Sequence, residues 1–482
     1  MKHLVFSVAT LLLCASQGLA LAAPEITVSA QDQQAVSVTI YNKNLALVKD
    51  RRHVVIPQGV HTLAFREVSA RIKPETVLLH SGDLRILEQN FEYDLLTPHS
   101  LLHKYVGREV SLVKRHPATG EDQMVPAKVL SAGDGVVLQV GDRIETEAVG
   151  RLVYPDVPAN LRDRPTLTML VDSTTPGERE AELSYLTGGL SWQADYVAEL
   201  NAADSQLNLS GWVTLTNESG ARYPRARLQL VAGNVNVVQR DIEARAMTKD
   251  ALPMAMAPAP QAMTEEALFD YHLYSLDRPT DIGEKQKKQV ALLQADGVAC
   301  RKEYLLAGHD YYYTAQAGEI GRKMKVGVFI ELINDTASGL GMPIPGGIVR
   351  VYKKDGSGFL QFVGEDKVDH TPEKETLRLH LGDAFDVTAD KRQTDFKKIE
   401  GGGRYNYAFE SAYSLQLNNA KDEQVTVKVR EPMPGDWRIL DESLPHRKES
   451  ANTASWQVTV PPKGKTALTY REIGRASCRE RV

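Results

Sequence analysis

The feature that most constrains this chain is a period-two alternation of apolar and polar residues, sustained from near one end to near the other. "AVSVTIYNKNLALVKDRRHVVI" (35–56) and "SQLNLSGWVTLTN" (205–217) are typical. In a strand, successive side chains point to opposite faces, so such runs bury one face and wet the other. Helical spacing stands out in one short place, "TPHSLLHKYVG", with Thr97 as its cap and Gly107 as its stop. A chain of this kind has no helices with which to cover a parallel sheet. It must stack sheet on sheet, which predicts an all-β, multidomain protein of Ig-like sandwiches with very little helix. From Arg108 to Tyr154, about five short strands with turns at Ala118-Thr119-Gly120, Gly133-Asp134-Gly135 and Gly141-Asp142 predict a small barrel over about residues 97–154.

The two ends read differently from the middle. Residues 1–22 combine a basic start, an apolar run from Leu4 to Ala15 and an Ala20-Leu21-Ala22 cleavage pattern. That run is too short to span a bilayer and is expected to be a cleaved secretory signal, leaving no transmembrane segment in the mature chain. "EIGRASCRERV" (472–482) resembles the in-frame translation of a sequencing adapter and is set apart from fold reasoning. Removing Lys2 and the net +1 of that tail takes the formal charge from −5 to −7. An acidic chain argues against nucleic acid as a partner. Of the three cysteines, Cys14 and Cys478 fall in these ends, so Cys300 stands alone and no intrachain disulfide forms. An exported chain without disulfides must rest on ordinary cores.

Between the ends, the spacing predicts an N-terminal β domain over 23–165 and a sandwich region over 166–471. Within the latter, residues 245–267 are rich in Ala, Met and Pro and are expected to be a mobile segment. A strand, an Asn and a polar turn recur as "TIYNKNLALV", "TLTNESGARYP", "ELINDTASGLG" and "QLNNAKDEQVTV". Asn42, Asn217, Asn334 and Asn418 hold equivalent places there. Asn bonds its own turn, and the recurrence points to repeated sandwich sheets.

Five further stretches carry a family resemblance: "ELSYLTGGLSWQADYVAEL", "LSGWVTLTNESGARYPRARLQLVAGNVN", "FDYHLYSL", "GLGMPIPGGIVRVYKKDGSGFLQFVGEDKVDHTPEKE" and "LGDAFDV". Together, over roughly 175–471, they resemble the bacterial domain-of-unknown-function family four-one-three-nine, whose longer relatives are labelled mucoidy-inhibitor-A-like. The resemblance is to a short form without a coiled-coil insert. It implies an exported, β-rich protein and neither an established activity nor proven catalytic residues.

Three groups of residues invite a functional reading. Tyr185, Trp192 and Tyr196 flank Gly188-Gly189 and could form an aromatic shelf for a ligand; a bend with Trp192 filling the core beneath it is the stronger expectation. Asp366, Asp369, His370 and His380 are hard-oxygen and imidazole donors close in sequence and could hold a divalent metal. Met247, Met254, Met256 and Met263 could capture copper(I) through soft thioethers. Cys300 with His309 and Asp310 suggests a nucleophile, but Cys300 is expected to pack as a small hydrophobe. "DGSGF" (355–359) reads as a hairpin turn and not a nucleophile elbow. No H-E-x-x-H, phosphate loop or dinucleotide fingerprint occurs.

The sequence therefore predicts a periplasmic or secreted cell-envelope protein, more a binding or scaffolding module than an enzyme, with an envelope protein or glycan as partner and no cofactor. The rival readings are a metal-assisted hydrolase of envelope material and a periplasmic copper-binding protein.

Overall fold

The computed structural model describes residues 24–476 apart from 93, 117–118, 134, 147–149, 159–160, 234, 237–262, 310–314, 401–406 and 434. Residues 1–22, expected to be a signal, residues 477–482 and most of the Ala/Met/Pro segment lie outside the described residues. The fold is all-β, and its single α-helix among the described residues is Pro98–Lys104. Thr97 caps that helix: its hydroxyl accepts the Ser100 N–H at 3.0 Å.

Three sheets contribute to the first and largest core. A four-stranded sheet is ordered Glu25–Val28, Gly59–Arg66, Thr166–Ser173, Leu84–Glu92. An eight-stranded sheet has at its centre Tyr223–Ala232, Gln33–Tyr41, Leu45–Ile56 and Gly177–Thr187. Val28, Phe65, Leu167 and Met169 of the first meet Val48, Ile56 and Leu183 of the second. The same core runs on to Trp192, Tyr196 and Val213, in the opening strands of a thirteen-stranded sheet.

Two strands of that sheet are long enough to serve two sandwiches. Gln286–Ala307 (22 residues) gives Val290, Leu292 and Val298 to the first core, then Tyr304 and Leu306 to a second. Thr376–Glu400 (25 residues) does the same with Leu377 and Leu379, then Val387 and Ala389. The second core is closed by Tyr407–Asn419 and Lys465–Ala476 on one side, and by Val425–Pro432 and Thr453–Val460 on the other. Val427, Val429, Trp456 and Val458 there pack with Leu415, Leu417 and Leu468.

Several expectations need correction. The stretch expected as a barrel does contain five strands, but they form an open sheet ordered Arg143–Glu145, Val137–Val140, Asp122–Ser131, Glu109–Arg115, Arg151–Val153. Its outer strands are three residues long and do not pair with each other, so the sheet stays open. The boundary at 165/166 cuts through two sheets: Leu45–Ile56 pairs with Gly177–Thr187, and Gly59–Arg66 with Thr166–Ser173. Residues 263–267 of the segment expected to be mobile belong to the fold: Met263 is buried and Thr264–Leu268 pairs with Tyr271–Ser275. Glu472–Ala476 of the adapter-like tail continue the Lys465–Ala476 strand in register with Tyr407–Asn419.

Candidate functional site

Gly188-Gly189 turns the chain from Gly177–Thr187 into Leu190–Leu200. Around that turn the backbone is tied on three sides. Gly188 N–H donates to Arg71 O (3.0 Å), Gly189 N–H to Asn44 Oδ1 (2.7 Å), and Glu218 N–H to Gly189 O (2.6 Å). Tyr185, Trp192 and Tyr196 all point into the core and are buried. The Tyr196 hydroxyl donates to Pro345 O at 2.7 Å, and burial pushes the Tyr185 and Tyr196 phenols well above their ordinary range. A ligand cannot reach these rings; they fill and orient the sheet.

The acid-and-histidine stretch is spread along a hairpin and its neighbour. Asp366 spends its carboxylate on backbone, accepting His380 N–H (2.7 Å) and Lys367 N–H (2.8 Å). The His380 ring stacks on Phe329, with centroids 4.8 Å apart. His370 turns to the other side, where its Nδ1 accepts Gly346 N–H at 3.1 Å. Burial lowers the His370 pKa; the nearby Asp369 opposes that and His272 adds to it. Among the described residues no three His, Cys, Asp or Glu side chains are placed to hold a metal ion. Met247, Met254 and Met256 lie outside the described residues, while Met263 packs in the first core.

Cys300 is half-buried beside Asp204, and its thiol reaches Asp204 O at 3.8 Å. Burial, reinforced by the Asp204 charge, pushes its pKa up to about 11. Such a thiol is held as the acid and is a poor nucleophile. Asp310 lies outside the described residues.

The turn expected at "DGSGF" joins Gly347–Lys354 and Leu360–Val368 in a hairpin at the end of the thirteen-stranded sheet, and the exposure of its tip is what sequence reasoning passed over. Its turn closes with Asp355 N–H on Phe359 O (2.9 Å) and Gly358 N–H on Asp355 O (3.0 Å), as expected for "DGSGF". The register slips between Val351 and Tyr352, and the tip runs out beyond the core. Phe359 is 70% exposed and Phe362 55%, with Leu360 and Val363 exposed between and beside them. From Gly364 onward the outer edge is covered: a Cβ there would lie 2.6 Å from Leu381 O. Toward the tip, Leu360–Val363 have no strand beyond them among the described residues. The sequence signal was present in "GFLQFVG", where alternation lapses and apolar residues stand on both faces.

Long shared strands, sheets packed face to face around shared cores and asparagine-pinned turns define a multi-sandwich β protein. Residues 181–472 match the model of the family described as "Domain of unknown function (DUF4139)", and the chain belongs to that family. A search of curated proteins gives no match.

Proposed function

We propose that this chain is exported and acts at the cell envelope, in the periplasm or outside the cell, as a binding or scaffolding module. The observation that carries the reading is the tip of the 347–368 hairpin, which offers apolar side chains on both faces and an open strand edge. A patch of that kind on a monomer is a common mark of an interaction site. The open edge favours an extended polypeptide over a glycan, because unpaired backbone N–H and C=O groups can be matched by another strand. Support for export comes from the signal-like residues 1–22. No helix among the described residues is long and apolar enough to cross a membrane. The hydrolase reading draws no support from the separated acids and histidines.

The test is a photoreactive amino acid placed at Phe362 in living cells, with Lys463 as an exposed control. A discrete protein adduct from position 362 alone, lost in a Phe359→Ser, Leu360→Ser variant of unchanged fold, is the expected result. Equal labelling at both positions, or a glycan adduct, would overturn the polypeptide-partner reading.

A further inference from the structure

The core of the second sandwich contains a lysine and a glutamate that nothing in its packing calls for. Lys391 rises from Thr376–Glu400 and Glu431 from Val425–Pro432, strands that do not pair with each other. Lys391 Nζ lies 2.7 Å from Glu431 Oε1, and the two side chains are 0% and 1% exposed. Aromatic rings enclose the amine: Nζ is 4.9 Å from the Tyr413 ring centre and 5.8 Å from that of Tyr470. Gln393, Ser411 and Glu472 are buried in the same sandwich.

We propose that Lys391 and Glu431 condense into an intramolecular amide, an isopeptide cross-link joining the two layers of this sandwich. Two opposite charges removed from water in this way suffer a desolvation penalty that their mutual attraction offsets only in part. Burial lowers the Lys391 pKa and so favours the neutral amine, which is the nucleophilic form. Proton transfer within the pair gives the matching neutral acid. A fixed contact between the reacting groups supplies a high effective molarity.

The step balances without a cofactor. The Nζ lone pair attacks Cδ of Glu431, a C–N bond forms, and the carboxyl C–O bond breaks. The amine gives up one of its two protons, which joins the departing carboxyl hydroxyl to make water, and keeps the other on the amide nitrogen. In sum, R–NH2 and HOOC–R′ become R–NH–CO–R′ and H2O, with nothing oxidised or reduced. The product is a neutral amide where an ion pair stood. A neighbouring acid can carry the proton, and burial raises Glu472 to about 8 against the opposing pull of Lys391. Because Glu472 opens the adapter-like tail, the proposal rests on Lys391 and Glu431 alone.

The experiment is an intact-mass measurement on the purified, denatured chain, followed by fragmentation of a protease digest. The expected mass is short by one water, and the digest contains a branched peptide joining the Lys391 and Glu431 segments. Lys391→Met should keep its full mass, and Glu431→Gln should condense with loss of ammonia in place of water. A wild-type chain at full mass with both peptides separate overturns the proposal. A water lost equally from Lys391→Met overturns it too, since the dehydration then lies elsewhere. Should Lys391→Met fail to fold, the wild-type mass and branched peptide still decide.

Discussion

Gly188 and Gly189 are neighbours with opposite tolerances. A Cβ on Gly189, at φ +82°, would sit 2.6 Å from Ser219 Cα and 2.7 Å from Glu218 O. A Cβ on Gly188 meets nothing closer than 3.7 Å. Gly189→Ala combines a left-handed backbone with overpacking and should cost roughly 2–5 kcal/mol, whereas Gly188→Ala should stay within about 1 kcal/mol. Denaturant titration of both variants checks this, and equal costs would refute the close-approach argument. The buried Asp50–Arg52 pair is a second residue-scale determinant. Arg52 donates to Asp50 Oδ2 (2.7 and 3.0 Å) and to the carbonyls of Val28 (2.9 Å) and Arg66 (2.8 Å), so it ties two sheets together. Arg52→Ala leaves the buried Asp50 carboxylate with the Gln33 amide (2.8 Å) but no counter-charge, takes a donor from two carbonyls, and should destabilise by roughly 3–5 kcal/mol. Exposed pairs such as Lys463–Asp422 should contribute less than about 1 kcal/mol by the same measurement. Cys300 yields a pH prediction. A thiol raised to about 11 has little thiolate at pH 8, so in a Cys478→Ser chain lacking residues 1–22, thiol-reagent labelling should be far slower folded than unfolded. Comparable rates would show that the thiol is open and ionisable.

Among the elements, the asparagine turns show what a sequence can and cannot give. Asn217, Asn334 and Asn419 are buried at strand ends and play one part. Asn217 Nδ2 donates to Ala221 O and Gly283 O. Asn334 Nδ2 reaches the carbonyls of Met342, Thr371 and Pro372, and Asn419 Nδ2 those of Glu423, Val460 and Pro461. In each case Oδ1 accepts a turn N–H: from Ser219, Gly341 and Lys421. The recurrence was legible because strand, Asn and turn are local. The partners were not, since Gly283 and Thr371 are far along the chain. The fourth unit was misplaced by one residue: Asn419 is the clamp, while Asn418 faces Asp390. In a strand, one step changes the face, and "NN" does not say which Asn turns inward. In the first unit Asn44, not Asn42, supplies the amide oxygen to Gly189. Asn419→Ala should therefore cost about 1–3 kcal/mol and Asn418→Ala less than about 1 kcal/mol. The reverse order in melting or denaturant curves would reject the assignment. The hairpin at 347–368 was legible as a turn, but its exposure depends on where the sheet ends, which alternation does not encode.

At the scale of the molecule, local pattern gave the strands and mislaid the divisions. Sheets are closed by pairings such as Leu45–Ile56 with Gly177–Thr187, more than a hundred residues apart, so a linear boundary at 165/166 has no physical counterpart. The small open sheet is different. It has its own core of Tyr105, Val110, Leu112, Ala127, Val129 and Leu138. It is inserted between Leu84–Glu92 and Thr166–Ser173, strands that pair with each other. Its entry and exit are adjacent as well: Leu96 N–H donates to Arg162 O (2.8 Å), and Arg162 N–H to Asp94 O (3.1 Å). A short linker can therefore bridge those points without disturbing the large core, since closing a short loop costs little. Replacing 97–161 with a few Gly and Ser residues should leave a soluble chain whose remaining sandwiches unfold cooperatively. In fragment 23–165 expressed alone, Gln33–Tyr41, Leu45–Ile56 and Gly59–Arg66 should not fold, because the fragment lacks their partners Tyr223–Ala232, Gly177–Thr187 and Thr166–Ser173. Circular dichroism and thermal melts of the two chains decide between these divisions. A folded 23–165 fragment together with an unfolded deletion chain would restore the linear boundary and refute the inserted-sheet architecture.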